Sequence, residues 1–97
     1  MKEKILTIVY AALKDASEEL GKPELASPGP ETHLYGRNGH LDSLALVNLL
    51  ADVEQRVADD LGKAIVLADE RAMSQKRSPF ATAGTLADYI ELLLSEG

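Results

Sequence analysis

No cysteine and no tryptophan occur in these 97 residues, and the aromatic set is one phenylalanine and three tyrosines. The missing thiols exclude disulfide staples and thiolate metal sites. So thin an aromatic set, beside abundant leucine and alanine, favours helices packed through aliphatic side chains over a sheet sandwich. Positive charge is scarce as well: ten Lys and Arg stand against sixteen Asp and Glu, a net charge of −6. Nucleic acid and anionic membrane are therefore poor partners for most of the surface. No stretch approaches the roughly 20 apolar residues that a membrane-spanning helix needs. The apolar run Ile5 to Leu13 follows two lysines, but Glu3 sits among them and Lys14-Asp15 come directly after. That run continues in helical register past the charges, so it reads as a helix and not as a targeting segment. A cytoplasmic protein without a membrane segment is the expectation.

What is present is enough for one domain, residues 1–97, with one small core. Ile5, Val9, Ala12, Leu13, Ala16 and Leu20 recur at spacings of three and four and predict a first helix over residues 3–20. Gly21 and Pro23 stop it. From Lys22 to Leu41 the chain is loop-like, punctuated by proline, glycine and asparagine, with Leu25, Leu34, Tyr35 and Leu41 as candidate anchors to the core. A second helix is predicted from Ser43 to about Asp60, capped by the Asp42 carboxylate and ended by Gly62. Its inward face is Leu46, Leu49, Leu50, Val53, Val57 and Leu61. The opposite face carries Ala45, Asn48, Asp52, Gln55, Arg56 and Asp59, and Leu44, Val47 and Ala51 lie on the flank between. Ala64 to Ala68 has no pairing partner in the chain and reads as an extended or single-turn plug. A short turn or helix is expected near Pro79 to Thr82. Thr85 is expected to cap a last helix with Leu86, Ile90 and Leu93 inward. The fold class is all-α: three main helices and one short helix or turn, with a long loop between the first two helices.

Charge is unevenly placed. Asp42 to Asp60 holds Asp42, Asp52, Glu54, Asp59 and Asp60 against Arg56 alone, whereas the next segment, to Ser78, holds Lys63, Arg71, Lys76 and Arg77 against Asp69 and Glu70. The acidic segment begins at Asp42-Ser43-Leu44, so a basic partner is the natural expectation there. This tripeptide puts a serine hydroxyl at the positive end of a long helix with no obvious base beside it. Such a serine suits modification by another enzyme better than attack on a substrate. By itself Asp-Ser at a helix start is an ordinary cap.

The wider pattern adds to this. Gly39, Leu41-Asp42-Ser43-Leu44, Val47, Leu50, Glu54, Gly62, Ile65, Phe80, Thr82 and Thr85-Leu86-Ala87-Asp88-Tyr89-Ile90 follow in an order and spacing that resembles the acyl carrier protein family over essentially the whole chain. The resemblance implies a bundle of the kind just described and a non-catalytic function. Ser43 would carry a covalent 4′-phosphopantetheine arm, attached from coenzyme A by a phosphopantetheinyl transferase, with Asp42 capping the helix and positioning the serine for that enzyme. The arm would hold acyl intermediates as thioesters for separate enzymes of fatty-acid, polyketide or other specialised biosynthesis. Acyl-activating, acyltransferase or synthase partners with basic docking surfaces would meet Leu44, Val47, Ala51, Asp52, Glu54 and Asp59. A monomer is implied. The aliphatic core around Leu46, Leu50, Val53, Ile65, Leu86 and Ile90 would be where a cargo chain is sheltered. Two departures point to a specialised carrier and away from a housekeeping fatty-acid one. Ala45 and Asn48 stand where early acids are usual, and the stretch from Leu67 to Phe80 is longer and contains Arg71, Lys76 and Arg77. An aminoacyl carrier of the D-alanyl or peptidyl type, and a helical interaction domain in which Ser43 is only a cap, are the alternatives.

Other chemistries fit less well. Ser43, His40 and Asp42 are the residue types of a hydrolytic triad, but Leu41 and Ala45 replace the glycines of a nucleophile elbow, and sequence neighbours do not easily adopt triad geometry. His33, His40 and Asp42 match no metal-ligand spacing and the two histidines fall in what reads as a flexible loop, so no metal is expected. The basic residues after Leu61 are too few for nucleic acid, and no aromatic residues are interleaved among them to stack bases.

Overall fold

The computed structural model describes residues 2–35, 39–67 and 80–96, and among these the protein is helical without a strand. Three α-helices, α1 (Lys2–Leu20), α2 (Ser43–Leu61) and α3 (Ala83–Glu96), are joined by connections that include a one-turn 3-10 helix, Pro23–Leu25. Of the short turn or helix expected near Pro79 to Thr82, Phe80 to Thr82 form a turn that leads into α3, whereas Pro79 lies outside the described residues, as does the basic cluster Arg71, Lys76 and Arg77.

The helix ends follow from local chemistry. At the end of α1, Gly21 takes φ +65° and the Lys22 N–H donates to the Ser17 carbonyl at 3.0 Å. That is a Schellman ending, in which a left-handed residue lets the chain fold back on orphan carbonyls. Gly62 ends α2 by the simpler left-handed motif, at φ +66° with its own N–H donating to the Ala58 carbonyl at 3.1 Å. The start of α3 differs from the sequence expectation. Thr82, not Thr85, is the cap: its hydroxyl accepts from the Thr85 N–H at 3.1 Å, while the Thr85 hydroxyl accepts from the Thr82 N–H at 3.0 Å. This is a capping box with threonine in the place of the usual Glu or Gln.

α1 is the hub. It packs against both α2 and α3 and against the 3-10 turn. Ile5, Val9 and Leu13 from α1, Leu46, Leu50 and Val53 from α2 and Leu86 and Ile90 from α3 are fully buried together. The connections contribute as much: Leu25, Leu34, Leu67 and Phe80 are fully buried too. Each such side chain contributes roughly 1.5–3 kcal/mol of transfer free energy. Phe80 meets Tyr89 edge to face, with centroids 6.3 Å apart and planes at 84°. Two ion pairs tie the helices at the surface, Lys2 with Asp88 between α1 and α3, and Arg56 with Asp15 between α2 and α1.

Some inward positions differ from the pattern. Ile8 and Ser17 are buried on α1, whereas Ala16 is half-buried and Leu20 exposed. The buried Ser17 hydroxyl donates to the Lys14 carbonyl at 2.6 Å, which makes a polar group tolerable there. Ile65 and Leu93 are half-buried, and in the stretch after Gly62 it is Leu67 that enters the core.

The long first connection is not a free loop. Leu34 and Tyr35 donate backbone bonds to Ala81 and Phe80 (2.8 and 3.2 Å), and Ala83 and Gly84 donate to Thr32 and Pro30 (3.0 and 2.8 Å). His33 and Thr82 form an isolated antiparallel bridge within this joint. His33 therefore belongs to an ordered segment, contrary to its reading as flexible. A side chain at Gly84 would sit 2.8 Å from the Pro30 carbonyl oxygen, so the joint closes only around glycine.

Candidate functional site at the start of the second helix

Ser43 is the first residue of α2, and its position is fixed from three sides. Asp42 is the N-cap, extended at φ −83°, ψ 178°; its Oδ1 accepts from the Ala45 N–H at 2.8 Å and its carbonyl from Leu46 at 2.9 Å. Behind it, Leu41 is buried and donates its N–H to the Leu34 carbonyl at 2.9 Å. Gly39 lies so close to the Leu34–Tyr35 backbone that an added Cβ would be 2.6 Å from the Leu34 oxygen. From the turn after α1, the Lys22 ammonium donates to the His40 carbonyl. The corner that presents Ser43 is thus built mainly on backbone closure, with Lys22 as a side-chain strut.

Ser43 itself is exposed. Among the described residues no side chain hydrogen-bonds to its hydroxyl, and the N–H groups of Ser43 and Leu44 have no acceptor. Asp42, whose Oδ1 caps the helix, is committed to holding the backbone. Unspent N–H groups at the positive end of a 19-residue helix favour an anionic group on the serine oxygen. The phosphodiester of a 4′-phosphopantetheine arm has that charge, and the residues present therefore fit the group that the sequence resemblance implies.

The six residues read as one docking set are divided by the structure. Leu44, Val47 and Ala51 are exposed along one flank of α2, and Leu44 is 71% and Val47 42% accessible. Leu44 is therefore a surface residue and does not fill the core. Glu54 continues this line, half-buried, but its carboxylate accepts the Leu67 N–H at 2.5 Å. That bond draws residues 62–67 back along α2 by about two turns, toward the Ser43 end. Val66, 62% exposed, precedes the tethered residue. Asp52 lies on the other side, toward α1, where its Oδ1 accepts from Arg56 Nε at 3.1 Å. Hydrogen bonds that Arg56 donates to Asp52 first, and then to Asp15, hold its pKa above its usual value. Asp59 is exposed further along and accepts from Gln55 at 3.1 Å.

No family model, no curated protein and no solved structure matches this chain. The chemistry of the site therefore rests on its geometry and on the sequence pattern.

Among the described residues no group of three His, Asp or Glu is placed to hold a metal ion, and no helix is long and apolar enough to cross a membrane. The sequence reading did not single out Lys22 or Thr82 for their roles at the site's supports. Thr82-x-x-Thr85 carried a usable signal, since a hydroxyl at each end of that spacing can cap reciprocally. Lys22 gave none, because its partner is a main-chain oxygen eighteen residues away.

Proposed function

We propose that this protein is a discrete acyl carrier, with an acyl-carrier-like helical bundle, modified on Ser43 with 4′-phosphopantetheine. The observation that carries the reading is the state of Ser43: exposed at the first position of a capped helix, beside two unspent N–H groups, with no side chain among the described residues hydrogen-bonded to its hydroxyl. A nucleophile for catalysis needs a positioned base; an acceptor for a transferase needs only access and a fixed corner, since the transferase brings the base. In loading, Ser43 Oγ attacks the phosphorus next to pantetheine in coenzyme A. The Oγ–P bond forms as the pyrophosphate P–O bond breaks, adenosine 3′,5′-bisphosphate leaves, and the serine proton passes to the transferase. The arm, once bound, supplies the thiol that this cysteine-free chain lacks, and acyl groups ride on it as thioesters.

Each neighbouring residue then has a task. Asp42 holds the helix start so that the amides of Ser43 and Leu44 stay directed at the phosphate. Leu44, Val47 and Ala51 form an exposed apolar ledge beside the serine, against which a phosphopantetheinyl transferase or an acyl-handling enzyme packs. Basic residues on those partners are steered by the net charge of −6. Ala45 and Asn48, where early acids would stand, favour a specialised carrier with its own partner set. The protein acts as a cytoplasmic monomer and not as an enzyme.

The test is intact-protein mass spectrometry after incubation with coenzyme A, magnesium and a broad-specificity phosphopantetheinyl transferase. Wild type gains one phosphopantetheine unit and Ser43→Ala gains none. Failure of folded wild type with two unrelated transferases overturns the proposal in favour of a helical interaction domain.

A further inference from the structure

We infer that the groove between α1 and α2 seats the side chains of a lysine- or arginine-bearing helical segment of a partner protein. It is a second docking surface, turned away from the apolar ledge of Leu44, Val47 and Ala51. The groove has a volume of about 430 Å³, within the range that binding clefts occupy. It exists because the facing positions are small: Ala12 and Ala16 on α1 oppose Ala45 on α2, with Leu49 beside them. Leucines in those places would close it.

The walls give the groove its sign. Asp15, Glu18, Glu19 and Asp52 line it against one cation, Arg56. Arg56 already engages Asp15 and Asp52, which leaves Glu18 and Glu19, both exposed, to receive outside charge. Leu20, 43% exposed, supplies an apolar contact at the end nearest Ser43. Ala45 and Asn48, both uncharged, are the α2 residues nearest that end. The acids at that end are provided by the last turn of α1, Glu18 and Glu19.

Charge disfavours other occupants. A second copy of this chain would bring an overall charge of −6 against the acids, and nucleic acid would be repelled for the same reason. The groove acids make no metal cluster. Alternating aliphatic and cationic side chains match both the floor and the walls. Such docking does not require Ser43 to be modified, so its test is made on the unmodified protein.

The probe is a synthetic amphipathic helix of leucine and lysine only, about four turns long, followed by amide chemical shifts and by fluorescence anisotropy near 0.1 M salt. Shifts are expected at Ala16, Leu20, Ala45 and Asn48, and a leucine–glutamate peptide of the same pattern should not bind. Glu18→Lys with Glu19→Lys should weaken binding about tenfold or more. Glu3→Lys with Asp60→Lys makes the same charge change elsewhere and should cost far less. Ala45→Leu, shown to be folded by circular dichroism, should weaken binding by occupying the floor. Shifts centred on Leu44, Val47 and Ala51, equal losses from the two charge-reversed pairs, or no binding by wild type would each overturn the inference.

Discussion

Glu54 offers the sharpest test of how the site is built, because two roles for it predict opposite results. As a docking acid it would matter to partners and little to stability. As the acceptor for the Leu67 N–H it matters to the fold. Hydrogen bonds to a charged group contribute about 1.5–3 kcal/mol, and stranding the donor costs about 1–3 kcal/mol. Glu54 is half-buried, so water reaches part of the vacated space and the lower end of those ranges applies. Glu54→Ala should therefore cost about 1.5–2 kcal/mol, a fall in Tm of roughly 10 °C for a domain this size. Glu54→Gln keeps an acceptor but loses the charge, and should cost about half as much. Urea unfolding at neutral pH measures both variants, and transferase loading of each, well below its Tm, measures the docking role. If Glu54→Ala is within about 0.5 kcal/mol of wild type, the usual span of an inconsequential surface change, the tether is not what seats Leu67. A loading defect in Glu54→Gln with unchanged stability would return Glu54 to the docking surface.

Asp42→Ala removes the cap of α2 and should cost about 1 kcal/mol in chemical denaturation, with Asp42→Asn largely retaining it. Leu44→Ser should leave urea stability within about 0.5 kcal/mol of wild type, since Leu44 is 71% exposed, while slowing transferase loading at least severalfold. Gly39→Ala places a methyl group 2.6 Å from the Leu34 carbonyl oxygen. It should destabilise by about 1–3 kcal/mol, in the range of core overpacking, and speed amide exchange at Leu41; normal stability would mean that the corner relaxes easily.

The helical skeleton was legible because helix faces repeat. Leu46, Leu49, Leu50, Val53, Val57 and Leu61 were read as one inward face; the first five are buried and Leu61, at the helix end, is half-buried. Punctuation was legible for the same local reason: Gly21 and Gly62 take the left-handed conformation that helix ends need. The loop anchors Leu25, Leu34, Tyr35 and Leu41 were readable as isolated apolar residues among turn residues; the three leucines are buried and Tyr35 is half-buried. Long-range placement was less accessible. Nothing local says that Leu34 will donate to Ala81, or that Glu54 will turn from the surface to hold Leu67. Grouping Asp52, Asp59 and Glu54 with Leu44 followed charge along the chain. The helix turns 100° per residue, and neighbouring elements decide which acids remain free. Thr85 was read as a cap one turn late because its hydroxyl does participate in capping, as the partner of Thr82.

The joint between residues 30–35 and 80–84 has a consequence for the order of events during synthesis. Thr32 and Ala83, or Leu34 and Ala81, are separated by roughly half the chain, yet their backbone bonds hold the segment from which Leu41 and then Ser43 are suspended. Contacts of such wide sequence separation close late in folding, and chains leave the ribosome from the N-terminus onward. While only the first two helices have emerged, the corner before Ser43 lacks the strip of backbone it leans on. Any enzyme that recognises this corner by shape therefore meets its proper target only after the beginning of α3 has been made. The last helix thereby times the readiness of a serine that it never touches.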